Sequence, residues 1–110
     1  MRFTDSHCHL SFPQLANQTE AVLARMADAG VGRALCICTT LEEFPQVLAL
    51  AQSRPNLWAS VGVHPDNEGQ AVREPSPGDL LVLARHEKVV AIGETGLDYY
   101  RLGDRTRADM

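Results

Sequence analysis

Arg33-Ala34-Leu35-Cys36-Ile37-Cys38-Thr39 is the stretch that decides the fold, because it sets five consecutive apolar residues between two polar ones. A short run that is apolar at both its odd and its even positions predicts a strand buried on both faces, which is typical of parallel sheets. A helix is predicted on each side of it. The first covers residues 19–29 and ends at Gly30, and the second covers residues 41–53 and stops ahead of Pro55. The run therefore predicts a β-strand placed between two helices.

The same alternation continues along the chain in both directions. Further strands are predicted over residues 3–10, 57–63 and 89–93, and a further helix over residues 79–86. Strands separated by helices form a parallel sheet with right-handed crossovers, so we predict an α/β fold. The pattern suits a doubly wound sheet or a (β/α)8 barrel. No Gly-rich phosphate loop follows the first strand, and four strands are half of a barrel that takes about 250 residues.

Composition and charge exclude several classes of protein. With 110 residues, of which 45% are hydrophobic and 22% charged, the chain has an ordinary globular balance and room for one small domain. No apolar run approaches the roughly 20 residues that cross a bilayer, so we expect a cytoplasmic protein without a membrane partner. The net charge of −4 argues against a broad basic surface for nucleic acid. Arg101, Arg105 and Arg107 suit either a solvated helix face or a local contact to phosphate, and we favour the solvated face.

The three cysteines do not form a recognisable redox or zinc motif. Their number is odd, and Cys36 and Cys38 are separated by one residue rather than by the two of such motifs. This usage fits a reducing compartment. We interpret all three as small buried hydrophobic residues.

Polar residues stand where the predicted strands end. His7 and His9 are two residues apart, a spacing that puts both rings on one face of a strand, and Asp5 shares their parity. His64 follows the third strand and Glu94 the fourth. The carboxyl ends of parallel strands meet at one edge of a sheet or barrel, where such enzymes place their active sites. Because imidazoles and carboxylates bind divalent metals, this edge is a candidate metal site.

Three motifs together resemble the N-terminal signatures of the TatD family of metal-dependent hydrolases. They are Asp5-Ser6-His7-Cys8-His9-Leu10, Val61-Gly62-Val63-His64-Pro65 and Ala91-Ile92-Gly93-Glu94-Thr95-Gly96-Leu97-Asp98-Tyr99-Tyr100, in the family's order and at similar spacing. The first two motifs are individually weak. The third contains the family's most distinctive string, and the joint match is highly specific over nearly all of the chain up to Arg101.

The resemblance implies the N-terminal half of a TIM-type barrel of the amidohydrolase-like group, with residues 1–110 forming one incomplete domain. It implies one or two divalent cations, Mg2+, Mn2+ or Zn2+, at the mouth of the barrel and hydrolysis of phosphodiester bonds, with DNA as the usual substrate. By position, His7 and His9 hold one metal, and Glu94 is the expected catalytic residue, which ligates that metal or bridges to a second. Two bridged cations lie roughly 3.5–4 Å apart, which suits stabilisation of an attacking hydroxide and a leaving oxygen.

Other residues are expected around these ligands. His64 is expected at the rim, as a contact to substrate phosphate or as support for the ligands, although before a proline it also suits a role in orienting a loop. Asp98 and Tyr99 are expected to shape the loop behind Glu94. Asp5 is likewise expected to contact the substrate or to support the metal ligands.

The chain departs from the family pattern in two respects. Ser11 stands where the family usually has an acidic residue, which bears on the loop and on substrate preference. Family members also continue for about another 150 residues, a length consistent with completing a barrel. That half supplies two more histidines and an aspartate to the metal site, and none of these positions exists in this chain. We therefore expect an N-terminal fragment that is inactive alone.

Two alternative functions are compatible with the same residues. An open half-barrel has an unpaired strand edge and apolar side chains without partners, so the chain also suits a non-catalytic binding module that self-associates through the open barrel edge. The amidohydrolase group also cleaves amide bonds with His-x-His metal sites. The signature around Glu94, in place of a metal-bridging lysine, favours phosphodiester hydrolysis.

Overall fold

Four strands alternate with three α-helices in the computed structural model, which describes residues 3–66 and 74–100. The strands are β1 (Phe3–Cys8), β2 (Val31–Cys36), β3 (Leu57–Val61) and β4 (Val89–Ile92). The helices are α1 (Thr19–Asp28), α2 (Phe44–Gln52) and α3 (Pro77–Ala84), and a 3-10 turn covers Ala16–Gln18. The arginine cluster noted in the sequence lies outside the described residues.

The strands form a single sheet in the order β1-β2-β3-β4, and every neighbouring pair is parallel. The predicted α/β architecture is therefore confirmed, because a helix connects each strand to the parallel strand beside it. Four parallel strands alternating with helices are the arrangement of half of a (β/α)8 barrel.

Helix α2 supplies much of the core. Its residues Phe44, Val47 and Ala51 are at most 3% exposed, and their spacing of three and four positions places them on one face of the helix. They pack with the buried residues of β2 and β3, which are Ala34, Cys36, Leu57, Ala59 and Val61. Burial of each large apolar side chain contributes about 1.5–3 kcal/mol, so α2 and the two central strands stabilise the sheet most.

The two outer strands are more exposed than the central ones. Every residue of β1 from Phe3 to His7 is exposed, and in β4 Val90 and Ile92 are 59% and 53% exposed. Within the described residues, β1 and β4 each pair with one neighbour only. The sheet therefore has an open edge on each side, as expected of half a barrel.

All four strands end earlier than the sequence pattern predicts. We expected strands to residues 10, 39, 63 and 93, whereas the ladders stop at Cys8, Cys36, Val61 and Ile92. The residues after these points leave the ladder and bond instead to neighbouring strand ends, as in the bond from the His64 amide to the Thr39 carbonyl (2.8 Å). These short ladders leave polar groups free to converge at the carboxyl edge of the sheet.

Helix α3 begins two residues before its predicted start because of a capping box. The Ser76 hydroxyl accepts a hydrogen bond from the Asp79 amide, and the Asp79 carboxylate accepts one from the Ser76 amide, each at 3.1 Å. Pro77 occupies the first turn, where its missing N–H costs nothing.

Among the described residues, the structure has no helix with the length and apolar character that a membrane crossing requires.

Candidate metal centre

The strand ends of β1, β3 and β4 bring four predicted site residues to one edge of the sheet. His7 and His9 come from β1 and the residues after it, His64 follows β3, and Glu94 follows β4. The Glu94 carboxylate lies within 3.7 Å of an Nε2 atom from each of the three histidines. Residues that are far apart in sequence thus form one cluster.

Strand β1 contains an irregularity just before this cluster. Asp5 pairs with Ala34 and Cys8 pairs with Cys36, so three steps along β1 match two along β2. The extra residue is a β-bulge, a device that redirects side chains at strand ends. It interrupts the simple alternation from which we placed Asp5 on the face of the histidines. The Asp5 carboxylate instead accepts a hydrogen bond from the His7 amide (3.0 Å), which ties down the bulge.

Three ligand atoms form a compact triangle. The Nε2 atoms of His7 and His9 are 3.2 Å apart, and the Oε2 atom of Glu94 lies 3.6 Å from the first and 3.5 Å from the second. Two donors bound at 2.0–2.2 Å to one tetrahedral ion are about 3.4 Å apart, so the triangle matches the spacing of donors around a single cation. Two imidazoles and a carboxylate suit zinc, manganese and related divalent ions.

His9 is held mainly by packing. Its ring stacks on Phe12, with the ring centroids 4.3 Å apart and the planes 17° from parallel. Its Nδ1 atom is buried and has no hydrogen-bond partner among the described residues. Metal-binding histidines usually donate a hydrogen bond from this second nitrogen. The direction of Nε2 in His9 is therefore set by Phe12, a residue that the sequence pattern did not identify.

His64 presents a hydrogen-bond donor to the cluster. Its Nδ1 atom accepts a hydrogen bond from the Asp66 amide (2.9 Å), so the proton of the neutral ring resides on Nε2. That Nε2 atom lies 3.7 Å from the Oε1 atom of Glu94, on the oxygen that does not face His7 and His9. Glu94 thus directs one oxygen to the histidine pair and the other to His64.

The backbone fixes Glu94 at the end of β4. The Gly93 amide donates to the Val61 carbonyl (2.9 Å), and the Glu94 amide donates to the Cys38 carbonyl (2.8 Å). The Glu94 side chain is 22% exposed, so its carboxylate is largely shielded from water. A shielded carboxylate requires a partner of opposite charge or hydrogen bonds, and a cation meets this requirement.

Asp98 and Tyr99 lie beyond Glu94. Asp98 is 8% exposed, and its carboxylate accepts a hydrogen bond from the Tyr100 amide (2.9 Å), which shapes the turn after Glu94. Asp98 also lines a cavity of about 340 Å³ together with His64 and Glu94. Tyr99 is 41% exposed on the surface nearby.

The thiols of Cys8 and Cys38 adjoin the site but are poor ligands. A hydrogen bond with Cys36, together with burial, raises the pKa of the Cys8 thiol well above its ordinary range. Burial raises the pKa of the Cys38 thiol. Because only thiolates bind metal well, these groups are unsuited to compete with the imidazoles. All three cysteines are buried or half-buried, in agreement with their interpretation as small hydrophobic residues.

Comparisons with known proteins give one consistent family. The family model described as TatD related DNase matches residues 4–110. The uncharacterized metal-dependent hydrolase YjjV of Escherichia coli (strain K12) is 41% identical over 104 residues, which are 90% of this chain and 39% of that protein. The 3'-5' ssDNA/RNA exonuclease TatD of Enterobacter lignolyticus (strain SCF1) is 41% identical over 97 residues, which are 88% of this chain and 37% of that protein.

A solved structure agrees with these sequence matches. The crystal structure of YjjV, described as a TatD homolog from Escherichia coli K12, superposes with a TM-score of 0.75 at 39% sequence identity. The match covers 90% of this chain and 39% of that one. The present chain thus spans about two fifths of the length of the relatives that it matches.

Proposed function

Since the chain belongs to the TatD family of related DNases, we propose that it binds a divalent cation and supplies part of the active site of a hydrolase acting on phosphodiester bonds, with DNA as the substrate. The observation that carries this proposal is the triangle formed by His7, His9 and Glu94. Relatives named as ssDNA/RNA exonucleases support nucleic acid as the substrate class.

His7, His9 and the Oε2 atom of Glu94 would hold the cation. When bound, such an ion lowers the pKa of a water ligand and polarises a phosphoryl oxygen. The protein holds the two rings and the carboxylate at the required spacing through the β1 bulge, the Phe12 stack and the backbone bonds at the end of β4. If a second cation binds, the Oε1 atom of Glu94, which faces His64, would be its ligand atom from this side chain.

His64 is proposed to orient the substrate. Its Nε2–H is a donor at the rim of the cluster, and the Asp66 amide holds that tautomer. A donor in this position can form a hydrogen bond to a non-bridging phosphate oxygen. That bond becomes stronger as negative charge develops on the oxygen. This role requires a hydrogen on Nε2, which separates His64 from the two histidines that offer a free Nε2 to a metal.

We propose that the 110-residue chain binds the cation but does not hydrolyse DNA efficiently by itself. The family resemblance implies two further histidines and an aspartate at the metal, and the chain spans about two fifths of its relatives' length. Three protein ligands are enough to hold an ion weakly. Turnover additionally needs a water held in line with the scissile bond, which depends on groups aligned to within a fraction of an ångström.

Calorimetric titration of the chain with Mn2+ or Zn2+ tests the metal site. We expect binding of one ion that Glu94→Gln abolishes, because the amide removes the charge and one ligand oxygen. Glu87→Gln is the matched control, since Glu87 is exposed after α3 and lies outside the cluster. A folded chain that binds neither ion would overturn the proposed function.

Release of nucleotides from a 3′-labelled single-stranded DNA oligomer tests the reaction, in parallel with a panel of cyclic amides. We expect little or no cleavage of DNA by the 110-residue chain. Mg2+- or Mn2+-dependent cleavage that is lost in Glu94→Gln would contradict this expectation and show that the chain is active by itself. Cleavage of an amide substrate, with DNA untouched, would contradict phosphodiester hydrolysis and support the amidohydrolase alternative.

A further inference from the structure

We propose that Ser60, the last residue but one of β3, is a positioning residue that fixes the place of Glu94 and thereby the geometry of the metal triangle. This inference rests on the function proposed for Glu94. Ser60 does not face the ligand atoms itself. It acts through the backbone at the ends of β2 and β4.

The Ser60 hydroxyl connects the two strands on either side of β3. It accepts a hydrogen bond from the Cys38 amide (3.0 Å) and donates one to the Gly93 carbonyl (2.8 Å). A hydroxyl has one hydrogen, so these two bonds fix its rotation. Ser60 is 0% exposed, and water therefore has no access from which to replace either bond.

Gly62, two residues further along the chain, makes room for the same arrangement. A Cβ atom at Gly62 would lie 2.6 Å from both the Glu94 carbonyl oxygen and the Gly93 carbonyl carbon. The end of β4 therefore passes directly over Gly62. This close approach lets the Glu94 amide reach the Cys38 carbonyl of the β2 end (2.8 Å), although β3 separates β2 from β4 in the sheet.

The peptide before Glu94 is thus held through both its carbonyl and its amide. The Gly93 amide bonds to Val61, the Gly93 carbonyl bonds to Ser60, and the Glu94 amide bonds to Cys38. Removing the Ser60 hydroxyl takes away the hydrogen-bond partner of the buried Cys38 amide and of the half-buried Gly93 carbonyl, which favours rotation of the peptide before Glu94. Such a rotation redirects the Glu94 carboxylate. Ligand spacings of 3.2–3.6 Å leave little tolerance for that change.

The test compares Ser60→Ala with Val47→Ala in the 110-residue chain. Val47 is 0% exposed in α2, so its truncation destabilises the core without removing a hydrogen bond. Two properties are measured in each variant: the affinity for Co2+ from its visible absorption, and the hydrogen exchange of the Gly93 and Glu94 amides by NMR. A general loss of stability alone is not expected to weaken Co2+ binding or to speed the exchange of these two amides selectively.

We expect Ser60→Ala to weaken Co2+ binding by about 10-fold or more, the usual effect of losing a residue that supports a metal ligand. We also expect the Glu94 amide to exchange faster than the other protected amides of β3 and β4. Val47→Ala should leave the Co2+ affinity within about twofold of the parent, with exchange changed evenly across the core. Ser60→Cys, which keeps the volume and a weak donor, should lie between the parent and Ser60→Ala.

Equal Co2+ affinities in Ser60→Ala and Val47→Ala, with uniform exchange, would overturn the proposal. If Ser60→Ala does not fold, the same comparison is made with Ser60→Cys, and an unchanged Co2+ affinity and Glu94 exchange rate in that variant would overturn it equally. A parent chain that folds but binds no Co2+ would refute the metal function, while the exchange rates would still decide whether Ser60 positions Glu94.

Discussion

The Nε2 atoms of His7 and His9 lie 3.2 Å apart and both face the same carboxylate oxygen of Glu94. Without a shared proton or cation, the two nitrogen lone pairs would oppose each other at this distance. A single divalent ion satisfies both nitrogens and the carboxylate at once.

Replacement of His9 by alanine should remove cation binding, because it deletes one of three ligands and the ring that stacks on Phe12. We expect the affinity for Mn2+ or Zn2+ to fall by more than the roughly 10–100-fold that loss of an outer-shell partner costs. Calorimetric titration measures the change. His86→Ala is the control, since His86 is exposed and outside the cluster, and equal losses in the two variants would contradict the assignment.

A bound cation should stabilise the fold. An ion that binds only the folded chain contributes about 2.7 kcal/mol at 100 times its Kd. In a domain of this size each kcal/mol shifts Tm by roughly 4–8 °C, so we expect a rise of about 10 °C or more. Thermal melts followed by circular dichroism, with and without EDTA, measure it. Glu94→Gln should melt at the same temperature in both conditions, and a metal-dependent shift that survives in this variant would place the ion elsewhere.

The thiols should react slowly in the native protein. Cys36 and Cys38 are at most 1% exposed, so the reagent has little access to either sulfur. Burial also raises the pKa of Cys38, which makes its reactive thiolate scarce. We expect Ellman's reagent at pH 8 to modify the folded chain many times more slowly than the chain in guanidinium chloride. Rapid reaction of all three thiols under native conditions would show that the core opens readily.

The open edge of β4 should promote self-association. Val90 and Ile92 are more than half exposed on a strand that pairs only with β3 among the described residues. We expect sedimentation velocity to show mass increasing with concentration, and Val90→Lys to suppress the increase, because a lysine blunts an edge strand. Leu81→Lys, at a residue 63% exposed on α3, should have little effect. A monomer at all concentrations would argue against association through this edge.

The sequence pattern predicted four parallel strands because these depend on apolar runs and on the helices between them. The order β1-β2-β3-β4 is that of the half-barrel implied by the family resemblance, since the pattern alone also suited a doubly wound sheet. The strand predicted over residues 33–39 exists, although β2 is observed at Val31–Cys36. The predicted ends were less accurate because hydrophobicity does not show where a ladder stops. Val63 is apolar but lies beyond the end of β3 at Val61, where the chain turns towards the site. Similarly, the start of α3 depends on the capping box of Ser76 and Asp79, whereas apolar periodicity places the start at residue 79.

The spacing of His7, His9 and Glu94 in the motifs was sufficient to predict that they would converge. The alternation of side chains along a strand does not reveal the bulge in β1, because an extra residue is recognised only from the pairing with the neighbouring strand. Ser60 and Gly62 were also missed as contributors. A single hydroxyl within the apolar strand Leu57–Val61 was the available signal, since a buried polar group requires partners. Which partners it has depends on the approach of β4, which pattern alone does not give.

The bulge between Asp5 and Cys8 makes the length of this segment more important than its composition. Ser6 is exposed, so many side chains would fit there. Deleting Ser6 would instead reduce the three steps to two, match the spacing of Ala34 and Cys36, and change the faces on which the neighbouring side chains lie. Deletion of Ser6 should therefore be far less tolerated than its substitution, and this fixed length would constrain how the site can change during evolution.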